Sequence, residues 1–162
     1  MTVVSNTSPI TNLAGIGYLA LLKDLYGTIT IPVGVFNEMA RIGKVVPGAL
    51  EVQTLPWINS CEVQDLDRVR ELRSVLDLGE AEAIALALEL STELLLLDER
   101  PGRQLAQQFG LSVTGVLGVL LEAKAKQLIG QVKPLMEQLV SDMNFRIGQP
   151  LYQGVLELAD EV

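Results

Sequence analysis

A chain of 162 residues with 49% hydrophobic side chains suits one domain with a sizeable core, and its apolar residues are spread out rather than gathered into a membrane-length block. It has no histidine and one cysteine, Cys61, which excludes Ser-His-Asp and Cys-His catalysis, histidine-ligated zinc, an internal disulfide framework and a thiolate metal cluster within one chain. Twenty acids against twelve bases leave a formal net charge of −8, which disfavours loose, nonspecific attachment to nucleic acid.

Met1 to Ser5 carries no basic leader and no cleavage-site pattern, so the expectation is a cytoplasmic protein with no membrane contact. Val3-Val4 reads as a short buried strand closed by the polar turn Ser5-Asn6-Thr7-Ser8-Pro9. Ile10 to Leu25 follows as one or two helices broken near Gly15 and Gly17. Thr28 to Ile31 is a second strand, and Pro32 at a first helical position opens Val33 to Arg41. Trp57 to Val63 is a weaker strand leading to a charged helix, Asp65 to Leu76. Gly79 to Leu90 has apolar residues on nearly every face and predicts a buried helix. Leu94 to Leu97, a continuous apolar run ending in Asp98, predicts a central parallel strand. Arg103 to Phe109 is a helix stopped by Gly110, Leu111 to Val113 another strand, and Thr114 the N-cap of an apolar helix to Lys126. Val132 to Met143 and Leu151 to Glu161 read as amphipathic helices. Strands alternating with helices predict an α/β fold, a central parallel sheet with helices on both faces.

Ligands of such sheets bind beyond the carboxyl ends of the strands. Asn6 and Asp98 end two strands there, and two helices starting at that edge carry Glu38 and Glu80. Carboxylates crowded together repel, and Mg²⁺ or Mn²⁺, which prefer oxygen ligands, would offset the repulsion and activate water for phosphodiester hydrolysis. Each residue also has an ordinary reading. Asp98 could be a strand-end turn residue, Glu80 a first-turn acid matching the helix dipole, and Glu38 a solvated helix glutamate. Glu82 could replace Glu80 as ligand, and Glu99 is either a second ligand or a solvent-facing neighbour of Asp98. Arg100 and Arg103 could hold substrate phosphates or be a solvated helix-start pair, and Thr7 and Ser8 could orient a ligand or cap the next helix. No Gly-x-Gly-x-x-Gly follows a strand and no Gly-Lys-Ser/Thr loop occurs, which argues against dinucleotide and P-loop chemistry.

Together these segments resemble a known family. Val3-Val4-Ser5-Asn6-Thr7-Ser8-Pro9-Ile10 resembles the opening motif of PIN-domain proteins, a strand running into an Asp-Thr-Ser turn. The likeness continues through Ile31-Pro32 with Val35 to Glu38, through Leu78-Gly79-Glu80-Ala81-Glu82-Ala83-Ile84-Ala85-Leu86-Ala87, and through Leu96-Leu97-Asp98-Glu99-Arg100. Ala106 with Gly110 to Gly115, and Leu117 to Leu120, resemble a prokaryotic PIN-like subgroup related to VapC-type toxins. The resemblance implies a Rossmann-like α/β/α sandwich over residues 1–145, with 146–162 a helical extension packing on the same domain or on a dimer partner. It further implies Mg²⁺- or Mn²⁺-dependent RNA cleavage, homodimerisation and inhibition by a small antitoxin. Carried over by position, Glu38, Glu80 and Asp98 would be catalytic, and Asn6, Glu38, Glu80 and Asp98 would hold metal, with Glu99 or Glu82 auxiliary. Arg100, Arg103 and Ser8 would contact substrate. The chain departs from the family at Asn6, where Asp is usual: an amide oxygen coordinates a hard cation but brings no charge and accepts no proton. That departure raises a second reading, a binding or regulatory module without catalysis.

Overall fold

In strands buried on both sides, successive side chains serve opposite layers, and the two central strands of this chain are apolar at every such position but Ser5, where β1 ends. The computed structural model describes residues 1–41 and 45–162. Its five strands are β1 (Val3–Ser5), β2 (Ile29–Pro32), β3 (Ile58–Cys61), β4 (Leu94–Leu96) and β5 (Val113–Thr114), all parallel, in the order β3-β2-β1-β4-β5. Val3 and Leu96 face one layer, whereas Val4, Leu95 and Leu97 face the other. The first layer holds α1 (Thr7–Gly15), α2 (Ala20–Tyr26), α8 (Val116–Ala125), α9 (Lys133–Met143) and α10 (Gln149–Leu158). The second holds α5 (Leu66–Leu72), α6 (Leu78–Glu89) and α7 (Arg100–Gln108), and α3 (Val33–Met39) packs against α6, α1 and the short α4 (Ala49–Thr54). The fold is a three-layer α/β/α sandwich. Among the described residues no helix is long and apolar enough to cross a membrane.

Four local expectations are corrected. The turn after β1 is already helical from Thr7, because Asn6 in extended conformation serves as N-cap and Pro9 falls in the first turn, where its missing N–H costs nothing. Pro32 is the last residue of β2 and the N-cap of α3, with ψ 156°, rather than the first helical residue. Thr114 lies in β5; Gly115 is the N-cap position of α8, and the Val116 N–H is taken by the distant Asp98 carboxylate at 2.7 Å. Helix α4 carries no strong periodic signal and was not expected.

Helix α6 is buried as predicted, its alanines allowing it to lie close against β1, β2 and β4. The apolar helices α8 and α10 bury most of their apolar surface within the chain: Val116, Val119, Leu120, Val155 and Leu156 are all core. Leu151 and Leu158 stay exposed.

The C-terminus is fastened by one carboxylate. The Glu161 side chain, only 7% exposed, accepts from the Val132 N–H at 2.7 Å, the Lys133 N–H at 2.9 Å and Lys124 Nζ at 2.9 Å, and Lys124 Nζ also donates to the Ala159 carbonyl. It thereby satisfies otherwise free N–H groups at the start of α9. Burial pushes the Glu161 carboxyl up, but donation by Val132, Lys124 and Lys133 outweighs it and holds the group below its ordinary value. Its stabilising contribution is therefore full above the unfolded-state value and lost as pH falls through the lower folded-state value. Glu161→Ala leaves those donors unsatisfied, at a cost of about 2 kcal/mol. Calorimetry should show a melting temperature about 4–8 °C lower at pH 7, with the difference narrowing in acid.

Candidate functional site

The strand order reverses between β1 and β4: β2 and β3 extend the sheet on one side, β5 on the other. A parallel sheet opens a crevice at the carboxyl end of such a switch point. The register carries past the strands, since the Asn6 N–H donates to the Leu96 carbonyl at 3.0 Å, so Asn6 is placed against the end of β4.

A crevice of about 320 Å³ lies there, lined by Asn6, Glu38, Glu80, Glu99 and Asp77 together with Thr7, Ser8, Thr11 and Asn12. The last four are one polar stripe of α1, at positions i, i+1, i+4 and i+5 of a helix otherwise turned to the core. Thr7 Oγ1 donates to Glu38 Oε2 at 3.0 Å, which aims that carboxylate across from α3. Two bare backbones make the space. A Cβ at Gly79 would stand 3.2 Å from both Asn6 Oδ1 and Glu38 Oε2, and one at Gly102 only 3.0 Å from Glu80 Oε2. Two acceptor oxygens thus converge on one small volume over Gly79, with Glu80 one residue further along the helix.

Asp77 caps α6 by accepting the Glu80 N–H at 2.8 Å. This Asp-x-x-Glu arrangement is the acidic form of a capping box, so the helix-start reading of Glu80 holds alongside any ligand role. Burial first, then the hydrogen bond and charge of Asp77, then the charges of Glu99 and Glu38, push the Glu80 carboxyl up to about 7. Among the described residues the crevice lining offers four carboxylates and no cation.

The remaining candidates are distributed differently. Asp98 does not line the crevice itself but the hollow adjoining it: its carboxylate accepts from the Val116 N–H at 2.7 Å and from Ser8 Oγ at 3.0 Å, and Asn12 Nδ2 donates to Ser8 Oγ at 3.0 Å. Burial pushes the Asp98 carboxyl up, while donation from Val116 and Ser8 and the nearby Arg103 draw it down, with the net shift upward. Glu82 is not at the crevice; its Oε1 accepts the Gly34 N–H at 2.7 Å in the first turn of α3. Arg100 and Arg103 lie beyond Asp98 in a neighbouring recess. Sequence reasoning missed Asp77, Thr11, Asn12 and Gly79. The polar stripe on an apolar helix and the Asp three residues before Glu80 were the available signals.

The donor set suits a hard divalent cation: carboxylate and amide oxygens facing a shared volume, with Thr11 Oγ1 buried and unpartnered among the described residues at the same crevice. Among those residues no three carboxylates are grouped closely enough to enclose an ion by themselves.

Crowding of acids leaves a thermodynamic trace. Glu80 holds its proton more tightly folded than unfolded, so its contribution to stability declines as pH rises from the unfolded value of about 4.5 through about 7. Glu80→Gln removes that decline. In metal-free buffer the variant should melt above the wild type at pH 8 and level with it near pH 4, by differential scanning calorimetry.

Among curated proteins no significant match to the chain is found. A family model described as PIN domain matches residues 2–161, nearly every residue described above. On that match, and on the sandwich whose switch-point crevice gathers Asn6, Glu38, Glu80 and Glu99, the chain belongs to the PIN domain family.

Proposed function

We propose that the chain is a metal-dependent endoribonuclease of the PIN type, holding Mg²⁺ or Mn²⁺ at the crevice through Asn6, Glu38 and Glu80. The observation that carries this reading is the convergence of Asn6 Oδ1 and Glu38 Oε2 on the space over Gly79, beside a Glu80 whose carboxyl is raised by its acidic neighbours. When bound, a divalent cation supplies Lewis acidity toward a phosphoryl oxygen and neutralises charge developing on it. Thr7 keeps the Glu38 carboxylate aimed inward. Glu99, exposed at the rim, accepts the proton of the attacking water. Asp98 acts one step back. Through Ser8 it fixes the start of α1, and so the position of Asn6 and Thr7.

The reading extends to the toxin class, with RNA as substrate, a small antitoxin as inhibitor and a homodimer as working form in the cytoplasm. Val75 and Leu78, exposed on either side of Asp77 at the start of α6, support a protein partner on that side of the crevice.

Asn6 favours a second reading, in which the same crevice binds without turnover. One set of measurements separates the two. On the nuclease reading, calorimetry should find Mn²⁺ binding that weakens at least about tenfold in Glu38→Gln and in Gly79→Ala, whose added methyl occupies the shared space. Mn²⁺-dependent RNA cleavage should vanish in both variants while their melting temperatures hold. Glu99→Gln should lose turnover with Mn²⁺ affinity little changed, whereas Asp98→Asn should lose thermal stability first. A wild type that neither binds Mn²⁺ nor cleaves, joined to an Asn6→Asp variant that does both, would establish the second reading instead.

A further inference from the structure

Arg100, Arg103 and Arg146 gather on one side of a chain whose formal net charge is −8. They rim a recess of about 710 Å³ between α8 and α10, whose floor is apolar: Leu117, Leu121, Phe145, Leu151, Val155 and Leu158. None of the ion pairs among the described residues involves any of the three, although the chain carries twenty acids. Arg103 is steadied by donating to the Leu97 carbonyl at 3.4 Å. Leu158 is 78% exposed and Leu151 53%, at an edge where three guanidinium groups also stand.

The recess is continuous with the crevice. A smaller hollow between them is lined by Ser8, Asn12, Asp98, Glu99, Phe145 and Arg146, among others. It shares Ser8, Asn12 and Glu99 with the crevice, and Asp98, Phe145 and Arg146 with the recess. The turn that presents Phe145 and Arg146 is held by Asn144 in the left-handed region, φ 53°, with the Phe145 N–H donating to the Leu139 carbonyl at 3.0 Å.

We propose that this trough is a nucleotide-binding subsite, taking the bases of a single-stranded polynucleotide on its apolar floor and the phosphates on Arg100, Arg103 and Arg146. The proposal rests on the nuclease reading of the crevice, since a strand whose scissile phosphate lies beside Glu80 and Glu99 must carry its next nucleotides past Phe145 and Arg146. Guanidinium groups beside an aromatic ring and aliphatic side chains are the elements that grip single strands, through charge and through base contact. A paired duplex keeps its bases stacked inside and cannot lay them on the floor. The continuity with the crevice favours a polynucleotide over a peptide.

The test is fluorescence anisotropy with a labelled single-stranded RNA oligonucleotide in EDTA, so that binding is read without metal or cleavage. Arg146→Glu should weaken binding at least about tenfold and flatten its salt dependence by roughly one phosphate contact, whereas Lys23→Glu, the same charge change on exposed α2, should not. Phe145→Leu, which keeps the apolar packing and removes the ring, should weaken binding about fivefold or more. A duplex of the same sequence should bind more weakly than the single strand. Equal binding by wild type and both trough variants would overturn the proposal, as would a fall in solution mass for Arg146→Glu with no effect on RNA, which would assign the face to a second copy of the chain. The readouts separate the two levels: trough-dependent RNA binding without Mn²⁺-dependent cleavage defeats only the nuclease reading, and cleavage with trough variants still binding normally defeats only the subsite.

Discussion

The parallel pairing of β1 with β4 is the contact on which the rest depends. It joins the first strand of the chain to one some ninety residues later, Val4 opposite Leu95 and Ser5 opposite Leu96, and it is the point where the sheet reverses its order. Burial drives the pairing, because Val3, Val4, Leu95 and Leu96 are at most 1% exposed and serve both layers at once. One further backbone hydrogen bond, from Asn6 to Leu96, carries the register beyond the strands and sets an amide at the mouth of the crevice. A slip of one residue here would send the alternating side chains to the wrong layers and turn the polar ends away from each other.

Given that frame, two kinds of polar contact divide the work at the carboxyl edge. Asp98, Ser8, Asn12 and the Val116 N–H form a closed network that ties β4 to the starts of α1 and α8. Its members satisfy one another's hydrogen bonds, although burial still holds the Asp98 carboxyl above its ordinary value. The crevice beside it is built the opposite way: Glu38, Glu80, Asp77 and Glu99 face a common space with a single hydroxyl, Thr7, donated into it among the described residues. Like charges in a partly desolvated space raise the free energy of the folded state, and the displaced Glu80 carboxyl is the mark of it. Such a cost is common where a protein must receive a cation or handle protons.

How much of this was legible in the sequence follows from which contacts are local. The layer architecture was, because period-two and all-apolar runs such as Leu94 to Leu97 have one physical solution. Family motifs brought Asn6, Glu38 and Glu80 to the right edge. Less legible was the division between adjacent residues: Asp98 and Glu99 differ by one position at a strand end, and it takes the approach of α8 to tie Asp98 to the Val116 N–H while Glu99 lines the crevice. Thr114 looked like the cap of α8 for the same reason, since a cap supplied from eighteen residues away leaves no mark in the local sequence. Glu82 was separated from Glu80 by helix geometry, and its role as partner to Gly34 needed the α3–α6 packing to become visible.

Asn6 bears on the chemistry through the same electrostatic argument. An aspartate in its place would add another negative charge to a space where Glu80 is already driven toward protonation, and at an effective dielectric of about 20 two such charges roughly 4 Å apart repel by about 4 kcal/mol. The amide keeps an oxygen donor in the position while sparing the crevice that repulsion. It also gives up the same attraction toward a divalent ion. On the proposed reading, an amide there trades cation affinity for stability of the fold and would leave the holding of an ion to Glu38 and Glu80. Whether the exchange leaves enough affinity for turnover depends on those two carboxylates, whose freedom is set by bare backbone at Gly79 and Gly102. The chemistry of the crevice is thus governed as much by two absent methyl groups as by the acids themselves.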